Sequence, residues 1–81
     1  MTFLIETPLT NHRYPRAESL DEAIIIAYQS SRIVKKRVCI WNENTRRLAG
    51  MVFKKGSLYL FAKEGSHSVY ILDRFGVPIS F

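Results

Sequence analysis

A single cysteine, Cys39, in 81 residues excludes an internal disulfide and a Cys-rich zinc site. A reducing, cytoplasmic setting is the simplest reading of that scarcity. Histidine is almost as scarce, and His12 and His67 are the whole supply. The longest unbroken apolar run, residues 23–28, is far short of the roughly 20 residues needed to span a bilayer. No charged-then-apolar leader opens the chain, so neither a signal peptide nor a membrane partner is expected. Also lacking are a Gly-rich phosphate loop, a Gly-x-Ser-x-Gly elbow, a Walker motif, and Asp or Glu at metal-ligand spacing with His. These absences lead us to expect a non-enzymatic chain with no catalytic residues, no metal and no cofactor.

Acids are few as well. Seven Asp and Glu against twelve Lys and Arg leave a net charge of +5 and a pI near 9.7. Such an excess on a small domain favours polyanionic partners. The bases are clustered as Lys35-Lys36-Arg37, Arg46-Arg47 and Lys54-Lys55, and Arg13 and Arg16 flank Tyr14. The acids are scattered, and Asp21 and Glu22 stand where a helix start wants negative charge.

What is present is folding composition. Hydrophobic residues make up 47% and charged residues 23%, too apolar for a disordered chain. Residues 1–81 form one domain whose core is thin, because a chain this short buries only about 60% of its unfolded surface. Residues 2–6 are a short β-prone run, and residues 7–18, with two prolines and no periodicity, read as a loop. Ser19-Leu20-Asp21-Glu22 is a capping box, which predicts a helix from Leu20 to about Ser31 or Ile33. Leu20, Ala23, Ile24 and Ala27 share one face, with Tyr28 at its edge, while Ile26 and Ile33 form a second, weaker stripe.

From Arg37 onward the period is two. Strands are predicted at 37–42, 47–54, 57–63 and 67–72, with a possible last one at 77–81. Asn42–Thr45 reads as a turn and Lys55-Gly56 as a two-residue hairpin. The expected fold is α+β in the order β-α-β-β-β-β: a single helix packed on one face of a four- to five-stranded antiparallel sheet. One sheet face is then aliphatic, with Val38, Ile40, Leu58, Leu60, Val69 and Ile71. The other carries Trp41, Met51, Phe53, Tyr59, Phe61 and Tyr70. A wet face should alternate apolar with polar residues, so this one needs a cover or a use. The 7–18 loop, a second copy of the chain, or a ligand could each supply it.

Gly65-Ser66-His67 at the start of a strand, followed by Ser68-Val69-Tyr70 and preceded nine residues earlier by Gly56, resembles the HicA-type toxin ribonucleases. In that family the histidine of the Gly-Ser-His is catalytic, so the resemblance implies a ribonuclease that uses His67. It covers roughly a quarter of the chain. The remainder departs from the family, with several strands between the helix and Gly65 and no second helix after it.

The reading that fits most of these features is a small basic module binding nucleic acid. Its contacts would be Arg13, Arg16, Lys35, Lys36, Arg37, Arg46, Arg47, Lys54 and Lys55, with Trp41, Tyr59, Phe61 and Tyr70 as stacking rings. The alternative is a small regulatory or inhibitory protein-interaction domain. It would act as a homodimer, the favoured state, or on a partner protein, through Ile26, Ile33, Phe53, Tyr59 and Phe61.

Overall fold

The computed structural model describes residues 2–7, 15–62 and 65–79. Among them are one helix and seven strands. The strands are β1 (Phe3–Glu6), β2 (Arg16–Ala17), β3 (Val38–Asn42), β4 (Arg47–Val52), β5 (Ser57–Phe61), β6 (His67–Leu72) and β7 (Pro78–Ile79). The helix, α1 (Leu20–Val34), lies between β2 and β3. All strands join one antiparallel sheet, in the order β2-β1-β3-β4-β5-β6-β7, which curls into a half-barrel.

This corrects the expected four- to five-stranded sheet and its β-α-β-β-β-β order. The protein is mostly strand. Part of the difference lies in the segment read as a loop, where Ala17 pairs with Phe3 and Arg16 with Leu4. The Ile5 amide also donates to the Pro15 carbonyl, at 2.9 Å. Two residues carry no periodicity, so only this tertiary pairing makes them a strand. A seven-stranded antiparallel sheet accumulates twist at every pair, and the sum appears as the curl.

The helix starts for the reason its sequence gives. Ser19 is the N-cap, and its Oγ accepts from the Glu22 amide at 3.2 Å. Ser19→Ala should therefore destabilise the protein by about 1 kcal/mol, read as a lower urea midpoint at unchanged slope. The helix ends at Lys35, which takes a left-handed conformation with φ 58°. Its buried stripe is Ala23, Ile24, Ala27, Tyr28 and Ser31. It packs over β1, β2, β3 and β4, against Phe3, Ile5, Ala17, Val38, Ile40 and Val52, with Leu58 of β5 in the same core. Each of these larger side chains contributes about 1.5–3 kcal/mol by leaving water.

The hairpins set the faces. Instead of a two-residue turn at Lys55-Gly56, Phe53 and Ser57 are paired and three residues lie between them: the Phe53 amide donates to the Ser57 carbonyl at 2.9 Å. The same separation recurs from Ala62 to Ser66 and from Asp73 to Val77, both at 2.9 Å, and each link ends in a glycine at positive φ. A type I turn closed by a left-handed glycine is the usual three-residue solution. With three residues between Ala62 and Ser66, Leu58 falls opposite Tyr70 and Tyr59 opposite Val69. Val69 and Ile71 are thus on the face away from the helix, exposed at 54% and 51%, and Tyr70 is on the helix face. That reverses the expected arrangement of β6, since moving the register by one residue exchanges the two faces.

Candidate nucleic-acid interface

The face of the sheet turned away from α1 is built from alternate residues of five strands. Glu6 of β1 lies opposite Cys39 of β3, Cys39 opposite Met51 of β4, Met51 opposite Tyr59 of β5, and Tyr59 opposite Val69 of β6. Along β5 the rings form a continuous row. Phe53 meets Tyr59 edge-on with centroids 5.2 Å apart, and Tyr59 stacks on His67 at 5.7 Å with 23° between planes. Phe61, directly across from His67 in the register, has its centroid 6.1 Å from the imidazole. Cross-strand aromatic pairs at these separations are mutually stabilising, which holds the ring planes in place. Trp41 stands two strands away, with its indole N–H donating to Glu6 Oε1 at 3.2 Å.

Cations stand at both ends of this row. At the Phe53 end, Val38 pairs with Val52, so Arg37 and the preceding Lys35-Lys36 leave β3 at the same end of the sheet as the Lys54-Lys55 turn. The Leu72 amide donates to the Gly56 carbonyl at 2.7 Å, which sets the Asp73–Gly76 turn beside the same end, with the Arg74 guanidinium 4.8 Å over the Phe75 ring. The one acid in that turn is engaged by its own backbone. The Asp73 carboxylate accepts from the Phe75 amide at 2.8 Å and the Val77 amide at 3.0 Å. Those backbone bonds, chiefly the one from Val77, hold its pKa below the ordinary carboxylate value.

At the Phe61 end lie Arg46, in the turn between β3 and β4, and Arg47, the first residue of β4. Asn42 builds this turn by accepting from the Asn44 and Thr45 amides at 2.9 and 3.3 Å. Two open hollows flank it. One, of about 600 Å³, is lined by Trp41 and Arg46 together with Leu4, Glu6, Asn42 and Glu43. The other, of about 440 Å³, has Phe61 and Arg47 in its wall. Each hollow therefore joins an aromatic ring to a guanidinium. The two carboxylates of the first are already partnered, Glu6 by Trp41 and Glu43 by Arg16 at 3.5 Å.

The expected contacts divide accordingly. Lys35, Lys36, Arg37, Lys54 and Lys55 gather at one end, and Arg46 and Arg47 at the other. Trp41, Tyr59 and Phe61 share the face between them. Arg16 is turned to Glu43, Tyr70 is on the helix side, and Arg13 lies outside the described residues, as does most of the 7–18 loop expected as a cover. Of the expected interface residues, Phe53, Tyr59 and Phe61 belong to the ring row, Ile26 packs partly on the core, and Ile33 stands 79% exposed. Two members were not anticipated. Nothing in the pattern of the sequence marks Arg74, and only the position of its turn beside Lys54-Lys55 brings it near the cluster. The His67 ring was considered for chemistry alone, although its position opposite Phe61 fills the gap between two aromatics.

The described residues offer little reactive chemistry. Burial, with Glu6 adding to it, pushes the Cys39 thiol up against the opposing pull of Arg37, which leaves it a poor nucleophile. Among the described residues no group of three His, Cys, Asp or Glu could hold a metal ion, and no helix is long and apolar enough to cross a membrane. No known protein family, characterised protein or solved structure matches the chain.

Proposed function

We propose that the protein is a small basic module that binds single-stranded nucleic acid along the ring row of its far sheet face. The observation that carries this reading is the ring row Phe53–Tyr59–His67–Phe61, with cation clusters at both of its ends. Every base has a π-face, and stacking on a protein ring is worth about 1–3 kcal/mol per base. The cations at the ends suit the phosphates that flank the stacked bases. Residues 57–61 extend about 17 Å at ~3.4 Å per residue, room for a few nucleotides, the low end of single-strand sites. Duplex would present its phosphates but not its base faces, so the rings favour single strands.

Binding of a short fluorescent oligonucleotide tests the reading. Affinity should fall steeply with salt, with a log–log slope of about −2 to −4 for three to five neutralised phosphates. Replacing Lys54 and Lys55 together by Ala should flatten that slope by about one. Tyr59→Ala and Phe61→Ala should each weaken binding by about five- to hundredfold while the salt slope stays the same. Binding that ignores salt, or that survives loss of both rings, would remove the proposal.

A further inference from the structure

We infer that the hollow formed by β1, β3 and the turn after β3 is a subsite for one guanine base. The inference rests on the nucleic-acid reading only for the source of that base, a strand that runs on past Phe61. The hollow holds about 600 Å³, within the usual range for small-molecule sites. Leu4 and Trp41 are paired across β1 and β3, and the half-buried indole supplies a flat apolar wall. The Glu6 carboxylate holds that ring, its Oε1 accepting from the indole N–H at 3.2 Å. Glu6 pairs with Cys39 and so lies to one side of Trp41 along the sheet. Arg46 lies to the other side, in the turn that follows Asn42. A base stacked on the indole therefore has a carboxylate near one edge and a guanidinium near another.

These two groups select the base. A carboxylate only accepts and a guanidinium only donates. Each carboxylate oxygen accepts twice, so the indole N–H leaves Glu6 with acceptor capacity. Guanine offers a carboxylate two adjacent donors, N1–H and N2–H, and its O6 and N7 are acceptors that suit a guanidinium. Adenine and cytosine offer a carboxylate one amino group, and thymine or uracil one ring N–H. A phosphate in the hollow would face Glu6 and Glu43, and a cation would face Arg46. A neutral ring with both donors and acceptors satisfies all three. The backbone at Arg46 supports the same occupant. Gly56, Gly65 and Gly76 take the positive φ of their turns, whereas this turn sets Arg46 at φ 57°. That conformation strains an L residue and leaves glycine free, so a guanidinium stands here against the local preference of the backbone.

The chain has one tryptophan, so the site reports on itself. Guanosine monophosphate titrated into the full chain should quench Trp41 fluorescence. Adenosine monophosphate should need about five- to hundredfold more for the same quench, the range of one good bidentate pair. Oligothymidine with a guanine at each end should outbind the same strand ended in adenine or cytosine by a similar factor. Glu6→Gln keeps an acceptor for the indole N–H but turns an amide donor toward the base, and should erase the preference for guanine. Arg46→Gly suits the turn, so its melting temperature should stay near the parent's while the preference for guanine falls. A preference that both variants leave intact overturns the inference. So does a strand that binds but gains nothing from its guanine ends, a result that leaves the ring row standing. No preference between the nucleotides, in a chain that binds no strand, overturns both readings. Guanine-specific quenching in a chain that binds no strand removes the ring-row reading and keeps the subsite.

Discussion

Gly76→Ala is expected to cost about 3 kcal/mol and to lower the melting temperature by about 10–25 °C. Two effects combine at this residue. Gly76 has φ +90°, where an L side chain is strained by about 1–2 kcal/mol. A Cβ there would also lie 3.1 Å from the Ile25 Cα and 3.2 Å from two Tyr28 atoms, so the turn would be pushed off the helix. Overpacking of this kind adds about 1–3 kcal/mol. Gly65 provides the control, because its φ is +85° but a Cβ would meet nothing within 4 Å. Gly65→Ala should therefore show the strain alone. Thermal melts of the two variants that fall by equal amounts would mean that the close approach to the helix carries no weight.

Tyr28→Ala should be the most damaging single truncation, at about 3–5 kcal/mol. Its ring is buried on the helix face and stands between two turns. The Gly56 turn approaches its Cε1 and hydroxyl, and the Gly76 turn approaches its Cβ and Cδ2. The Arg32 guanidinium lies 5.8 Å over the ring from the outside. Removing the ring leaves a void that neither the helix nor the turns can fill without breaking their backbone bonds. A chain of this size has about 4–12 kcal/mol of total stability, so the variant stands close to the limit of folding. Urea titration should show a sharply lower midpoint, whereas Tyr28→Phe should stay near the parent protein. A small effect for Tyr28→Ala would show that the turns do not depend on the ring between them.

How far the sequence reveals this structure differs from element to element. The helix start is local chemistry, a serine and a glutamate three residues apart, and it is readable without any tertiary knowledge. The strands of the second half show themselves by alternation as far as Phe61. At Val69-Tyr70-Ile71-Leu72 alternation fails, because four consecutive apolar residues fit either face. There only the three-residue spacing from Ala62 to Ser66 decides, and it places Tyr70 on the helix side. β2 leaves no mark in the sequence at all, since its identity is conferred by Phe3 and Leu4. Most of the ring row is visible as alternate aromatics, but the contributions of His67 and Arg74 depend on which turns adjoin, a property of the whole sheet.

The position of β1 bears on how the molecule assembles. From β3 to β7 every pairing is between neighbours in sequence, closed by short turns, and such hairpins form within microseconds. β1 pairs on one side with β2, the next strand in sequence, but on its other side it has no neighbour of this kind. Its residues pair with Asn42, Trp41, Ile40 and Cys39, on the far side of the helix in sequence. Closing that long loop carries an entropic cost before any contact rewards it, so non-local pairing of this sort is slow. On the ribosome the first strand emerges early and waits for β3, while the later meander can form as it appears. β1 is thus completed late, and Trp41 sits at the seam where that completion takes place.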